Sequence, residues 1–386
     1  MRVPGVLPQF RVVRRQRGDA IWSPAAVRWG VWWRAWLGVR WRPQGPADWG
    51  AGVAAGLALA LPLLIGTALG HPEAGAALVL PVVLVVMPLP AQAGPGERAR
   101  RLATRTLWIT LAGVYACLIH GNDWALVPAV ALTAAVGALA PRVSVTAPLA
   151  FLLVGITGPA EAFGVPGLPQ LAGCLWGGIL ALPRWGRTPP RPPGPRPPAP
   201  PPPVPTVPPA PPAARPLAHA ARLAALTGAA MTLITAPHHL AGDGHWLVTG
   251  VLLALTPTPH TTLVKARQRA VGTSVGCTGV ALVLAAHPGP WAIAATAAVL
   301  GTLAYGLRPA NYLYWCIAFS PLLLLLADFN TPTPWYTAGV RAALVTTGSL
   351  TAVLASHWLW PHAFHTDPHR PQEADEGRRP GPTRTP

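Results

Sequence analysis

The stretch Thr256–Gly276, TPTPHTTLVKARQRAVGTSVG, decides the fold. Apolar residues run up to it, Lys265, Arg267 and Arg269 gather in its middle, and an apolar run rich in small residues leaves it. The pattern predicts two membrane helices meeting at a short, positively charged loop. It has an echo 169 residues earlier (269 − 100): Pro88, Pro90, Arg98, Arg100 and Thr104 answer Pro257, Pro259, Arg267, Arg269 and Thr273. Beyond that the register drifts, with Trp124 answering Trp291, Arg142 answering Arg308 and Glu161 answering Asp328. Weak identity at a nearly fixed offset over half a chain reads as internal duplication.

Composition sets the class. The chain is 51% hydrophobic and 11% charged, with 50 Pro and 39 Gly among 386 residues. Such a sequence has too few charges to cover a soluble protein and is too apolar for disorder. The formal charge of +17 does not point to nucleic acid, because most of the basic residues lie between apolar runs rather than along a solvated face. Lys265 is the only lysine, so no phosphate loop ending in Gly-Lys-Ser/Thr exists.

Five regions follow from the patterning. Residues 1–49 form a basic leader in which Trp22, Trp29, Trp33 and Trp36 fall on one helical stripe with Arg28, Arg34, Arg40 and Arg42 between them. Trp prefers the headgroup layer and Arg prefers anionic lipid, which suits a helix lying on the cytoplasmic membrane surface; a partly ordered basic leader is the alternative. Residues 50–187 hold apolar segments at 50–70, 75–93, 102–120, 123–141, 145–165 and 168–185. Each approaches the roughly 20 residues that cross a bilayer, the fifth and sixth least clearly because GITGPAEAFGVPGLPQ also reads as a long external loop. Residues 188–216 contain 17 prolines and form a polyproline linker, a tract that also suits a domain binding Pro-rich ligands. Residues 217–361 hold six more segments, at 218–237, 243–259, 267–287, 289–307, 311–329 and 336–360, and 362–386 is a polar tail.

Charge tests this layout. With the leader inside and the loops alternating, 28 of the 29 Lys and Arg residues fall on the cytoplasmic side. The external loops hold Glu73, Asp123, Glu161, Asp243 and Asp328 instead. That asymmetry predicts an all-α membrane protein of about twelve spans, two parallel six-helix repeats with both termini cytoplasmic.

RAVGTSVG at Arg269–Gly276, preceded by HWLVTGVLLALTP and a basic segment, resembles the fusaric acid resistance protein-like (FUSC) family. VRAALVTTG repeats the same spacing from Arg341 to Gly348, whereas the first half has RLATRT where the family pattern would give Arg-x-x-Gly-Thr. The resemblance implies an inner-membrane exporter of aromatic or other organic acids, with anion channels among distant relatives.

Arg269, Thr273 and Gly276 are spaced to share one helix face, and Gly272 with Gly276 makes a small-xxx-small pair. One reading is an arginine that collects an organic carboxylate at the cytoplasmic mouth with Thr273 hydrogen-bonding deeper in; the other is an orientation-setting arginine above a packing seam. Arg100 and Thr104 repeat the Arg-xxx-Thr spacing in the first half. Arg341 breaks the charge rule, and it either snorkels to the outer interface or faces the bundle, with Glu161 and Asp328 as partners. His238, His239, Asp243 and His245 crowd one external loop without a metal-ligand spacing. The cysteines (Cys117, Cys174, Cys277, Cys316) stand singly in apolar runs as packing residues.

Together these features predict a transporter exporting small anionic organic compounds, driven by a proton gradient or passive. The partners expected are anionic lipid at the cytoplasmic face and a small anionic substrate, with no nucleic acid and no cofactor; a homo-oligomer is compatible with the pattern. Alternatives are an anion channel, a membrane-embedded enzyme acting on lipid-linked substrates, and a non-transporting scaffold. The enzyme would need paired acids or a His–acid set at one membrane face, and the scattered acids here offer none.

Overall fold

A computed structural model describes residues 41–89, 93–119, 122–140, 142–157, 164–182, 214–236, 243–327, 329 and 334–359. The leader helix, the polyproline linker up to residue 213, the tail, His238, His239, Glu161 and Asp328 lie outside the described residues.

Among the described residues the elements are helical. In chain order they are α1 Trp49–Ala68, α2 Pro72–Val85, α3 Pro95–Leu118, α4 Leu126–Leu139, α5 Thr146–Thr157 and α6 Leu168–Ala181. Then come α7 Ala214–Thr235, α8 His245–Ala254, α9 Pro259–Ala285, α10 Pro290–Leu307, α11 Tyr312–Ala327 and α12 Thr337–Leu354. Proline stands in the first turn of α2, α3, α6, α9 and α10, where its missing N–H costs nothing and its fixed φ suits the helix. Asp48 caps α1, accepting from the Ala51 amide at 3.1 Å. Pro62, Pro81 and Pro321 sit inside helices, where neighbouring helices can meet the freed carbonyls.

Two expectations are corrected. The basic residues of the Thr256–Gly276 stretch are not in a loop but on α9, which starts at Pro259. Its N-terminus is fixed by a threonine network: the Thr256 amide donates to Thr262 Oγ1 at 3.0 Å, and Thr258 Oγ1 shares a hydrogen bond with Thr261 Oγ1 at 2.6 Å. With 27 residues α9 is about 40 Å long, more than the roughly 30 Å hydrocarbon core, so a helix end can carry Lys265 and still span. α3 does the same from Pro95 to Leu118.

The second correction concerns length. Among the described residues, the helices long and apolar enough to cross a membrane are α1, α7 from Pro216, α10, and α12 extended to Trp358. Several segments expected to be near 20 residues are shorter, down to 12 in α5 and 10 in α8, or about 15–18 Å. These short helices are interior: Thr146–Val154 of α5 is buried throughout, as are Trp246 and Val248–Leu252 of α8. Burial along these stretches surrounds them with other helices rather than lipid.

Helix packing joins the two ends of the chain. α1 lies along α10, and α4 along α7. α2 packs on α6 and α8 on α12, while α3 packs on α5 and α6 and α9 on α11 and α12. The α1–α10 seam is tight: a Cβ on Gly52 would stand 2.5 Å from the Thr302 carbonyl oxygen, and one on Gly56 would stand 2.9 Å from that of Ala298. Outward faces carry exposed Leu57, Leu107, Leu132, Ile179, Leu233 and Leu282. A surface of this kind is suited to lipid.

Candidate functional site

The residues singled out on α9 converge on α11, through contacts that differ in kind. Gly272 and Gly276 make the close approach. A Cβ on Gly276 would stand 2.2 Å from the Ile317 carbonyl oxygen, and one on Gly272 would stand 2.6 Å from Cys316 Cβ. Both glycines are therefore packing residues. Between them Thr273, fully buried, shares a 2.8 Å hydrogen bond with Ser320 Oγ.

One turn earlier Arg269 is 1% exposed, among the largest buried side chains of the protein. It lies beside Tyr312 and Cys316 of α11. Its Nε and Nη1 have no hydrogen-bond acceptor among the described residues.

Arg341 of α12 reaches the same face of α11 from the other side and is 2% exposed. Its Nη1 donates to the Ser320 carbonyl at 3.4 Å, and its guanidinium carbon lies 3.3 Å from the Trp246 ring centroid on α8. Arg341 thus faces the bundle and does not snorkel outward. Tyr312, Cys316 and Ser320 recur every four residues, so one stripe of α11 carries Arg269 at one level and Arg341 with Thr273 about one turn further on. At the start of the stripe Arg308 lies over the Trp315 ring, 4.8 Å from its centroid.

Arg308, Tyr312, Ser320 and Trp246 are members of this arrangement that sequence reasoning missed. Tyr312, Cys316 and Ser320 leave a trace, a four-residue polar spacing within YLYWCIAFSPLLLLL. Trp246 leaves none, since a tryptophan in an apolar run is ordinarily packing.

The first-half pair behaves differently. Arg100 is exposed, and its carbonyl accepts from Thr104 Oγ1 at 2.9 Å. The buried arginines of α3 are Arg98 and Arg105, on either side of it. Measured from the helix starts, α9 is 164 residues after α3 (259 − 95), which aligns Arg269 with Arg105 rather than Arg100.

Arg105 is also chemically unlike Arg269. Its Nη1 donates to the carbonyls of Val85, at 3.0 Å, and of Met87, and Tyr305 Oη donates to Val83 O at 2.6 Å, so the end of α2 is capped twice. Arg98 donates to Ala181 O at 2.8 Å, at the end of α6, and Arg222 to Pro257 O at 3.4 Å, just past α8. Guanidiniums meet the negative ends of helix dipoles there, each with at least one donor on a carbonyl at or just past a helix end. Arg269 has no such carbonyl.

A short strap covers the start of α11. Gln44 N donates to Ala310 O at 2.7 Å, Asp48 N to Gly306 O at 2.8 Å, and Asn311 Nδ2 to Arg42 O at 3.3 Å. Tyr314 Oη bonds to Trp41 O. On the α8 side, His245 packs against Trp246 with ring centroids 4.3 Å apart.

Residues 224–355 match the family model described as fusaric acid resistance protein-like. The match runs from within α7 to the end of α12, and so includes Arg269, Thr273, Arg308, Ser320, Arg341 and Trp246. Neither a curated protein nor a solved structure matches the chain.

Proposed function

We propose that this chain, whose residues 224–355 carry the fusaric acid resistance protein-like pattern, is a multi-pass transporter of the cell membrane that moves small organic anions, aromatic acids included, out of the cytoplasm. The observation that carries the reading is Arg269: a buried cation with two donors unused, on a stripe that leads from Arg308 to Arg341. An arginine held in an apolar bundle without an acceptor is costly unless an anion arrives to use it. Thr273 and Ser320 offer hydroxyls at the next level, and the Arg341–Trp246 pair lies beyond.

The architecture we assign is two parallel six-helix repeats with both ends cytoplasmic. Its support is the packing: α1 on α10 is answered by α7 on α4, α2 on α6 by α8 on α12, and α3 on α5 and α6 by α9 on α11 and α12. Each pair reappears when every helix is shifted by six, as a two-fold axis along the membrane normal requires. Lipid at the cytoplasmic face is anionic in this scheme, drawn to the exposed basic residues around Arg100.

Reconstitution tests the function. Proteoliposomes loaded with radiolabelled benzoate should release it faster than protein-free vesicles, and an imposed proton gradient separates coupled from passive movement. Arg269→Gln at matched protein level should cut the rate about ten-fold or more, since a charge-assisted contact is lost. Equal release from parent, variant and empty vesicles would refute transport.

A further inference from the structure

The start of the α11 stripe holds more unused donors than one carboxylate can take. Arg269 Nε and Nη1, Arg308 Nη1, Tyr312 Oη and Trp315 Nε1 are all buried without an acceptor. They come from α9, from the residue that closes α10, and from α11, on which both α9 and α10 pack. Arg308 lies over the Trp315 ring, 4.8 Å from its centroid, and Arg269 and Arg308 both act electrostatically on Tyr312 and Cys316. The Tyr312 and Trp315 rings are 5.2 Å apart, and Trp315 stacks on Phe319 at 4.3 Å. Two guanidiniums therefore flank one edge of α11 against an aromatic wall.

Charge balance sharpens this. The ion pairs among the described residues join His71 to Glu73 and Arg101 and Arg142 to Glu97, and none involves Arg269 or Arg308. The two cations also repel each other, a cost that grows in a low-dielectric interior. A monocarboxylate would neutralise one guanidinium and leave the other buried and unmatched. A ligand with two negative groups would neutralise both and supply oxygen acceptors to all the orphaned donors.

We infer that Arg269 and Arg308 form a two-arginine site for a doubly charged organic anion, with Tyr312 and Trp315 donating to its oxygens. This rests on the transport reading and specifies the substrate class for the same pathway: dicarboxylates, or acids bearing a second anionic group, ahead of simple monocarboxylates. Arg105, whose donors are taken by α2 carbonyls, adds positive field near Arg308 without competing for the ligand.

The test compares benzoate with phthalate and terephthalate, which keep the aromatic body and add one carboxylate, at constant ionic strength and at about pH 7.5, where the carboxylates are ionised. Titration calorimetry on the purified full-length protein should give at least one dicarboxylate an affinity about ten-fold or more above that of benzoate, the worth of an added charge-assisted contact. In Arg308→Gln the ratio should collapse toward one, and in Arg308→Lys it should be partly kept because the charge remains while the planar fork is lost. Benzoate bound and transported with no dicarboxylate preference in the parent overturns this inference and leaves the transport reading standing. No binding and no transport of any of the three acids overturns both. A preference that survives unchanged in folded Arg308→Gln shows that the second charge is read elsewhere, and removes Arg308 from the site.

Discussion

The Arg341 guanidinium carbon lies 3.3 Å from the centroid of the Trp246 ring, so an arginine near the start of α12 is held by the face of an aromatic ring on α8. The same guanidinium donates to the Ser320 carbonyl of α11, so three helices meet at one charge. A desolvated cation–π contact is worth about 2 kcal/mol.

A double-mutant cycle with Trp246→Leu, Arg341→Met and the pair should therefore show a coupling of about 1–2 kcal/mol in detergent unfolding. Each single change should also slow benzoate release, because the outer end of the stripe loses its cation or the ring that holds it. Additive effects would mean that ring and cation are merely adjacent.

The glycine seam gives a paired prediction. Gly276→Ala places a Cβ 2.2 Å from the Ile317 carbonyl oxygen and should cost about 1–3 kcal/mol by forcing α9 and α11 apart. Gly279→Ala, one turn along the same helix with nothing within 4 Å, should be neutral or gain up to about 1 kcal/mol from helix propensity. Thermal melts of the two purified variants check it, and matching losses would count against close approach as the reason for Gly276.

On α3 the structure reverses the ranking given by sequence matching. Arg105→Gln should lower stability by about 2–3 kcal/mol, since carbonyls at the end of α2 lose a charged donor. Arg100→Gln, at an exposed position, should leave stability within about 0.5 kcal/mol and benzoate release near the parent rate. A transport defect in well-folded Arg100→Gln would restore the pairing of Arg100 with Arg269.

Sidedness can be read by thiol labelling in a background without native cysteines. His71→Cys and Asp123→Cys should react with an impermeant maleimide added to intact cells, and Gly96→Cys only after permeabilisation; all three positions are exposed in the structure. Labelling of Gly96→Cys in intact cells would invert the topology.

The linker and the seams make opposite demands. Replacing 188–212 by Gly/Ser of similar reach should preserve insertion and transport if the tract is a tether. Either half expressed alone should fail to accumulate, because α1 needs α10 and α4 needs α7. Both halves co-expressed as separate chains should recover transport. Transport lost on linker replacement at normal protein level would point instead to a partner that docks on the proline tract.

The sequence by itself determined the membrane class and the all-helical fold. Hydrophobic runs, first-turn prolines and one-sided arginines act locally, through hydration of the backbone and of charge, and need no knowledge of what packs where. It also picked out Arg269, Thr273 and Arg341, because a charge or hydroxyl in an apolar run is conspicuous. It could not tell Arg100 from Arg105, or a capping arginine from an unused one. That difference lies in which carbonyls come within reach, and only the packing of α2 against α3 decides it. Nor could it give Arg308, Tyr312 and Trp246 their places, since each reads as ordinary in its own segment. Tertiary structure made them neighbours of Arg269 and Arg341 by packing α9 and α10 on α11 and α12 on α8 and α9, where burial leaves each charge only the partners that packing supplies.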